Sequence, residues 1–252
     1  MANLTDITAF LNTFLNLASL PDTSWNGLQV EGGADIEKIG LAVDAGLEVF
    51  ASAAQENCQL LITHHGLFWD FADPALVGWM KQRVELLQKN NLSLYVAHLP
   101  LDLHREVGNN AQLLKILGAV PVKDFFSYHG VTISFIGELS PGLPLNSIAS
   151  ILEDTLHAKL TTLAFGKPQV SRIAVMSGHA GYSTFAEALR HDIDLFIAGD
   201  NIEIYQTAKD AGVNVIFAGH YATETLGVRA LGEVLKEKFA VDIAFIDKPT
   251  GL

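Results

Sequence analysis

The chain has a single cysteine, Cys58, among 252 residues, and one thiol can neither close an internal disulfide nor build a Cys-based zinc site. A reducing cytoplasm is the compartment this implies. Cations are also scarce: 16 Lys+Arg stand against 28 Asp+Glu, a formal net charge of -12. Such a charge opposes attraction to phosphate backbones and anionic membranes, which disfavours nucleic acid as a partner. No apolar run reaches the length of a membrane span, and the N-terminus carries Asp6 with no Lys or Arg ahead of its apolar residues, unlike a signal peptide. A P-loop and the H-E-x-x-H helix signature are both missing, so a phosphate or a metal would have to be met by other groups. A small anionic substrate stays compatible with the charge, because bound divalent ions can dominate a local field.

What is present is an apolar composition, 49% hydrophobic, enough for one large core or two smaller ones. The stretch that organises the rest is Leu60-Leu61-Ile62-Thr63-His64-His65-Gly66, a buried strand with two imidazoles at its C-terminal end. Successive strand side chains point to opposite faces, so the two histidines would not easily share one ion within the strand. At the strand's end each can serve a different ion of a pair, since two-metal hydrolytic sites hold their ions about 3.5–4 Å apart. The bland alternative is one packed and one solvent-facing histidine, and further ligands are needed to displace it.

Helical spacing of Leu4, Ile7, Phe10, Leu11, Phe14 and Leu15 predicts an amphipathic helix over residues 4–18, broken at Pro21. Ser24–Val30 reads as a turn on Asn26-Gly27 feeding a short strand, with a structural and no catalytic part. Strand Ile39–Asp44, helix Leu47–Asn57 and strand Gln59–Thr63 make a βαβ unit, whose ligand sites lie at C-terminal strand ends. An aromatic and Asp-rich loop, Phe68–Gly78, is long enough to cover a site, followed by a helix over 75–90 and a strand over Leu92–Ala97. Pro100 argues that His98 and Asp102 sit in an irregular loop. Asn109–Leu117 is a helix stopped by Gly118. Strand Val131–Ile136, a turn at Pro141–Pro144, a helix over Ser147–His157 and a strand near Lys159–Ala164 follow.

The first pattern then returns, with strands at Ile173–Gly178, Asp194–Asp200 and Val213–Ala218 and a helix at Thr184–Arg190. The outlet Gly219–Glu224 matches Ala97–Asp102, setting His220 against His98 and Glu224 against Asp102. This is a weak internal duplication. It predicts two linked α/β parts, residues 1–124 and 125–252, with mostly parallel sheets flanked by helices and a metal site between the halves. The residues His64, His65, His98, Asp102, His220 and Glu224 collect at strand ends, and all are ligand types for a borderline divalent ion. His179 is expected to be a solvent-facing loop residue; His104, His129, His157 and His191 look ordinary, the last two at helix ends.

Thr63–Gly66, Ala97–Asp102, Asn109-Asn110, Gly219–Glu224 and Asn26–Val30, in that family's order, resemble the NGG-interacting-factor-three-like dinuclear-metal-centre proteins, often described as GTP cyclohydrolase I type 2 homologues. The resemblance implies that His65 and Asp102 hold one ion, His64 and His220 the other, and that Glu224 bridges them. It further implies two divalent ions per chain, a toroidal homohexamer and a nucleotide or purine-like substrate. Zinc, manganese, iron and nickel all suit such N/O ligands. Two places depart from the family pattern: Ser177-Gly178-His179-Ala180-Gly181 in place of a Ser-Gly-Gly stretch, and Gly199-Asp200 in place of Gly-Glu. The leading expectation is a metal-dependent hydrolase with His98 as proton shuttle, an imidazole titrating near neutrality. A non-catalytic metal-binding scaffold and a metal-dependent phosphoesterase are the competing readings.

Overall fold

The computed structural model describes residues 1–128 and 130–252, so His129 lies outside the described residues. Two compact units make up the chain: Met1–His104 with Gly227–Lys248, and Arg105–Leu226 with Pro249–Leu252. The division therefore falls at 104/105 and not at 124/125, and the first unit also takes back a late segment of chain.

In the first unit, β1 (Ala2–Asn3) leads into α1 (Leu4–Phe14), whose buried face carries Leu4, Ile7 and Leu11 and whose first turn is capped by the Asn3 side chain. The helix stops short of residue 18 because Asn16 turns left-handed at φ +53°, and a 3-10 turn, Leu17–Ser19, follows. Next come β2 (Gly27–Val30), β3 (Asp35–Ile36), β4 (Lys38–Ala42), α2 (Leu47–Gln55) and β5 (Leu60–Thr63). After the aromatic loop, α3 (Gly78–Lys89) starts later than expected, then come β6 (Ser93–Val96) and α4 (Leu99–Asp102).

The second unit begins with α5 (Asn109–Ile116), closed by Gly118 at φ +71°. Two long strands, β7 (Val120–Tyr128) and β8 (Val131–Pro144), pair antiparallel. Strand β7 is not legible in the sequence because its side chains are mostly exposed and do not alternate. Nor do Pro141–Pro144 form a turn: β8 runs on through them beside β10, with a register shift at Val170/Arg172. Then follow α6 (Leu145–Leu156), β9 (Thr161–Leu163), β10 (Gln169–Met176), α7 (Tyr182–Ala188), β11 (Leu195–Ala198), α8 (Tyr205–Ala211) and β12 (Asn214–Phe217). The unit boundary falls inside α9 (His220–Phe239), and β13 (Asp242–Phe245) returns to the first unit.

Sheet order in the first unit is β13-β4-β5-β6-β2, parallel except for edge strand β2. In the second it is β7-β8-β10-β11-β12-β9, where only the central β10-β11-β12 are parallel. Expectation of a mostly parallel sheet thus holds for the first unit, and the second is mixed. Both centres repeat one order, strand-helix-strand-helix-strand-helix, in which α8 and the outlet helices α4 and α9 go beyond the repeat expected from the sequence. Every residue of β5, β6, β11 and β12 is buried, the pattern of strands covered on both faces. One core gathers Phe50, Leu61, Leu87 and Leu94; the other gathers Leu114, Ile148, Val175 and Ile197. Among the described residues no helix is long and apolar enough to cross a membrane.

Candidate metal centre

Strand β5 ends at Thr63, so both histidines lie past it, where strict alternation no longer applies. Backbone amides of His64 and His65 donate to the Val43 carbonyl at 3.0 and 2.8 Å, which bends the chain over the end of β4. The two rings come to 4.9 Å apart. His98 follows β6, its ring 5.0 Å from His64 and 5.7 Å from His65. One ligand-capable nitrogen from each of the three lies within 4.8 Å of the others, a group able to hold a metal ion.

Asp102 is not in an irregular loop. Residues Leu99–Asp102 form a helical turn with Pro100 in its first turn, where a missing amide hydrogen costs nothing and the fixed φ suits the helix. That turn brings Asp102 Oδ2 to 3.5 Å from His64 Nε2. The corresponding second-unit outlet is also helical. His220 opens α9 and Glu224 stands one turn on, so the i,i+4 spacing sets His220 Nε2 3.2 Å from Glu224 Oε1.

Hydrogen bonding gives the four imidazoles a common orientation. Nδ1 faces the Ala97 carbonyl at 2.9 Å in His64, Asp44 at 2.8 Å in His65, Asp22 at 3.0 Å in His98 and Asp200 at 2.9 Å in His220. An oxygen acceptor at Nδ1 requires the proton there, which makes Nε2 the lone-pair nitrogen of each neutral ring. A neutral imidazole held through one nitrogen by an oxygen is the form in which histidine ligates metal through the other. In the first unit His64, His65, His98 and the Asp102 carboxylate, and in the second His220 with the Glu224 carboxylate, are each donor types that suit a borderline divalent cation.

Sequence reasoning misses the groups that do this holding. Asp44 follows β4 and Asp200 follows β11, both at strand ends where polar residues could be sought. Asp200 also receives His179 Nδ1 at 2.9 Å, so the exposed His179 is tied to the outlet of β11. Within the Ser24–Val30 segment, Gln29 Oε1 accepts from Leu67 N at 2.8 Å and steadies the chain after His65-Gly66. Gly66 has no space for a side chain, since a methyl there would meet Gln29 and Val96. Gly178, at φ +58°, lies so close to Glu224 that a methyl would collide with its Oε1. The ordinary histidines are elsewhere: His104 stacks on Phe14, His157 terminates α6 and His191 ends a 3-10 turn.

The whole chain, residues 2–251, matches the model of the Duf34/NIF3 (NGG1p interacting factor 3) family. The chain belongs to that family. Relatives called GTP cyclohydrolase 1 type 2 homolog from Pyrococcus horikoshii and Pyrococcus abyssi are 47% and 45% identical to it over 249 residues, 98% of each chain in both cases. Among solved structures, protein ybgI, of unknown function, superposes with a TM-score of 0.91 at 35% identity over 100% of both chains. TTHA1606 from Thermus thermophilus superposes with a TM-score of 0.88 at 37% identity, over 99% of this chain and 100% of that one.

Charge at the second-unit outlet is lopsided. Burial pushes the His220 pKa down, but Glu224 and Asp200 on its two sides outweigh that and carry it up to about 9. Metal-free protein at neutral pH therefore holds His220 as an imidazolium, and a cation bound through Nε2 must displace that proton. In a nuclear magnetic resonance titration of metal-free protein, His220 should stay protonated up to about pH 9 and lose its proton above it. Glu224→Gln should move the midpoint down; a wild-type midpoint at the ordinary histidine value would contradict this electrostatic account.

Proposed function

We propose that the chain binds two divalent metal ions and acts as a metal-dependent hydrolase on a nucleotide or purine-like heterocycle. The observation carrying this reading is the shared orientation of His64, His65, His98 and His220, each held through Nδ1 by an oxygen and so turned to offer Nε2. In this reading His65 and Asp102 would hold one ion, His64 and His220 the other, and Glu224 would be the ligand shared by both. The chemistry such ions would supply when bound is that of two-metal hydrolysis, a water of lowered pKa and a polarised substrate.

The chain's own residues then have distinct tasks. Asp102 and Glu224 offset the cations' charge. Asp44 and Asp200 keep His65 and His220 in the ligating tautomer, while Gly178 lets the backbone come up against the Glu224 carboxylate. His98 moves the proton: its Nε2 accepts from the attacking water and returns the proton to the leaving group. The heterocyclic substrate is favoured by the relatives' description as GTP cyclohydrolase 1 type 2 homologs. Cytoplasmic residence suits the one buried thiol, Cys58, whose pKa burial raises to about 11 and which is accordingly inert. The homohexamer implied by the resemblance is part of the proposal, and light scattering of the purified protein decides it.

Elemental analysis of protein purified without a histidine tag should find close to two transition-metal equivalents per chain. Glu224→Ala should lose most of them, and a metal content indifferent to that change refutes the bridging role. A screen of nucleotides and cyclic amides should then reveal turnover that chelators abolish and His65→Ala lacks. Turnover confined to generic phosphate esters would favour a phosphoesterase, and full metal loading without any turnover would favour a non-catalytic scaffold.

A further inference from the structure

Asp22 lies in the connection ahead of β2, far in sequence from either histidine outlet. Its side chain is only 2% exposed, and a carboxylate buried to that degree is tolerated only when its oxygens are hydrogen-bonded. Four donors meet it: His98 Nδ1 at 3.0 and 3.1 Å to its two oxygens, Leu99 N at 3.0 Å, Ser24 N at 3.0 Å and Asn26 Nδ2 at 2.8 Å. Asn26 completes the grip by accepting from His98 N at 2.7 Å. His98 is thus held at its backbone and its ring by one short segment. The hold is needed, because its backbone, at φ -93° and ψ -113°, lies outside the broad helical and extended regions. Trp69 packs edge-on against the ring at 5.0 Å, on the side of the aromatic loop.

We propose that Asp22 is a positioning residue which, with Asn26, fixes His98 as its Nδ1–H tautomer and so presents Nε2 to the His64 and His65 imidazoles. The proposal rests on the reading of His98 as the proton-transferring group. In that transfer an O–H bond of the attacking water breaks as an Nε2–H bond forms. The electron pair stays on oxygen, the Nδ1 proton stays on the ring and is donated to Asp22, and the Nε2 proton later passes to the leaving group. Without Asp22 the ring could turn over or exchange tautomers, and Nε2 would spend part of its time as a donor, unable to accept. The carboxylate therefore governs whether His98 works as a base, much as oxygen partners of ligating histidines commonly fix tautomer and ring orientation.

The test is nitrogen-15 spectroscopy of the full chain with labelled histidine, both metal-free and zinc-loaded, in wild type and in Asp22→Asn, which keeps the side-chain shape. Wild-type His98 should show a protonated Nδ1 and a bare Nε2. Asp22→Asn should move its ring shifts toward averaging or toward the Nε2–H form with zinc equivalents unchanged, while the thermal midpoint falls because the amide N–H2 faces donors that the carboxylate accepted. On any substrate that the hydrolase screen yields, turnover should fall about 10- to 100-fold, the usual effect of losing such an oxygen partner. An Nε2–H tautomer in the wild type, or His98 shifts indifferent to Asp22→Asn, overturns the proposal. Zinc loss as deep as that of Glu224→Ala also overturns it, by assigning Asp22 to metal retention. Should Asp22→Asn fail to fold, Asn26→Ser, which releases the backbone of His98, is read in the same way. The tautomer is observed without turnover, so an absence of hydrolase activity defeats the functional reading and leaves this one to be decided on its own.

Discussion

The candidate ligands of both units depend on one arrangement, an oxygen placed against Nδ1 of each imidazole at a strand outlet. A histidine on a flexible side chain can present either nitrogen, and a site built from such residues loses affinity to tautomer and rotamer averaging. Here the Ala97 carbonyl and the carboxylates of Asp44, Asp22 and Asp200 settle that choice for His64, His65, His98 and His220. Parallel strands supply the geometry, since ends that finish in register leave the chain free to turn and bring polar groups together. β4, β5 and β6 do this in one unit and β10, β11 and β12 in the other.

The same acids impose an electrostatic cost when no cation is present. His220 stands between Glu224 and Asp200, and the pair draws its pKa up to about 9. The sequence's excess of acids, a net charge of -12, is therefore partly an excess placed where it holds histidines. A cation held there would reverse the local sign, releasing the proton and offsetting the carboxylates' charge.

Much of this is legible in the sequence wherever a local pattern decides local structure. The unbroken apolar run Leu60–Thr63 marks a covered strand, and the polar pair after it marks a strand outlet. Spacing of four between His220 and Glu224 gives the right pairing, because it is also the spacing of one helical turn. Between His98 and Asp102 the same spacing is visible but its conformation is not: Pro100 reads as a breaker in the sequence, whereas in a first turn it opens the helix. The carboxylates that orient the rings cannot be found this way. Asp22, Asp44 and Asp200 lie 76, 21 and 20 residues from the imidazoles they hold, and only the folded sheet brings them near. Strand β7 escapes for the opposite reason, since a strand mostly exposed on both faces leaves no hydrophobic period to read.

The most direct test of the central claim is anomalous X-ray scattering from zinc-loaded crystals, recorded on both sides of the metal edge. Two peaks per chain about 3.5–4 Å apart, ligated through Nε2 of His64, His65 and His220 and by the carboxylates of Asp102 and Glu224, are the predicted result. Peaks bound through Nδ1, or a Glu224 carboxylate remote from both ions, would contradict it.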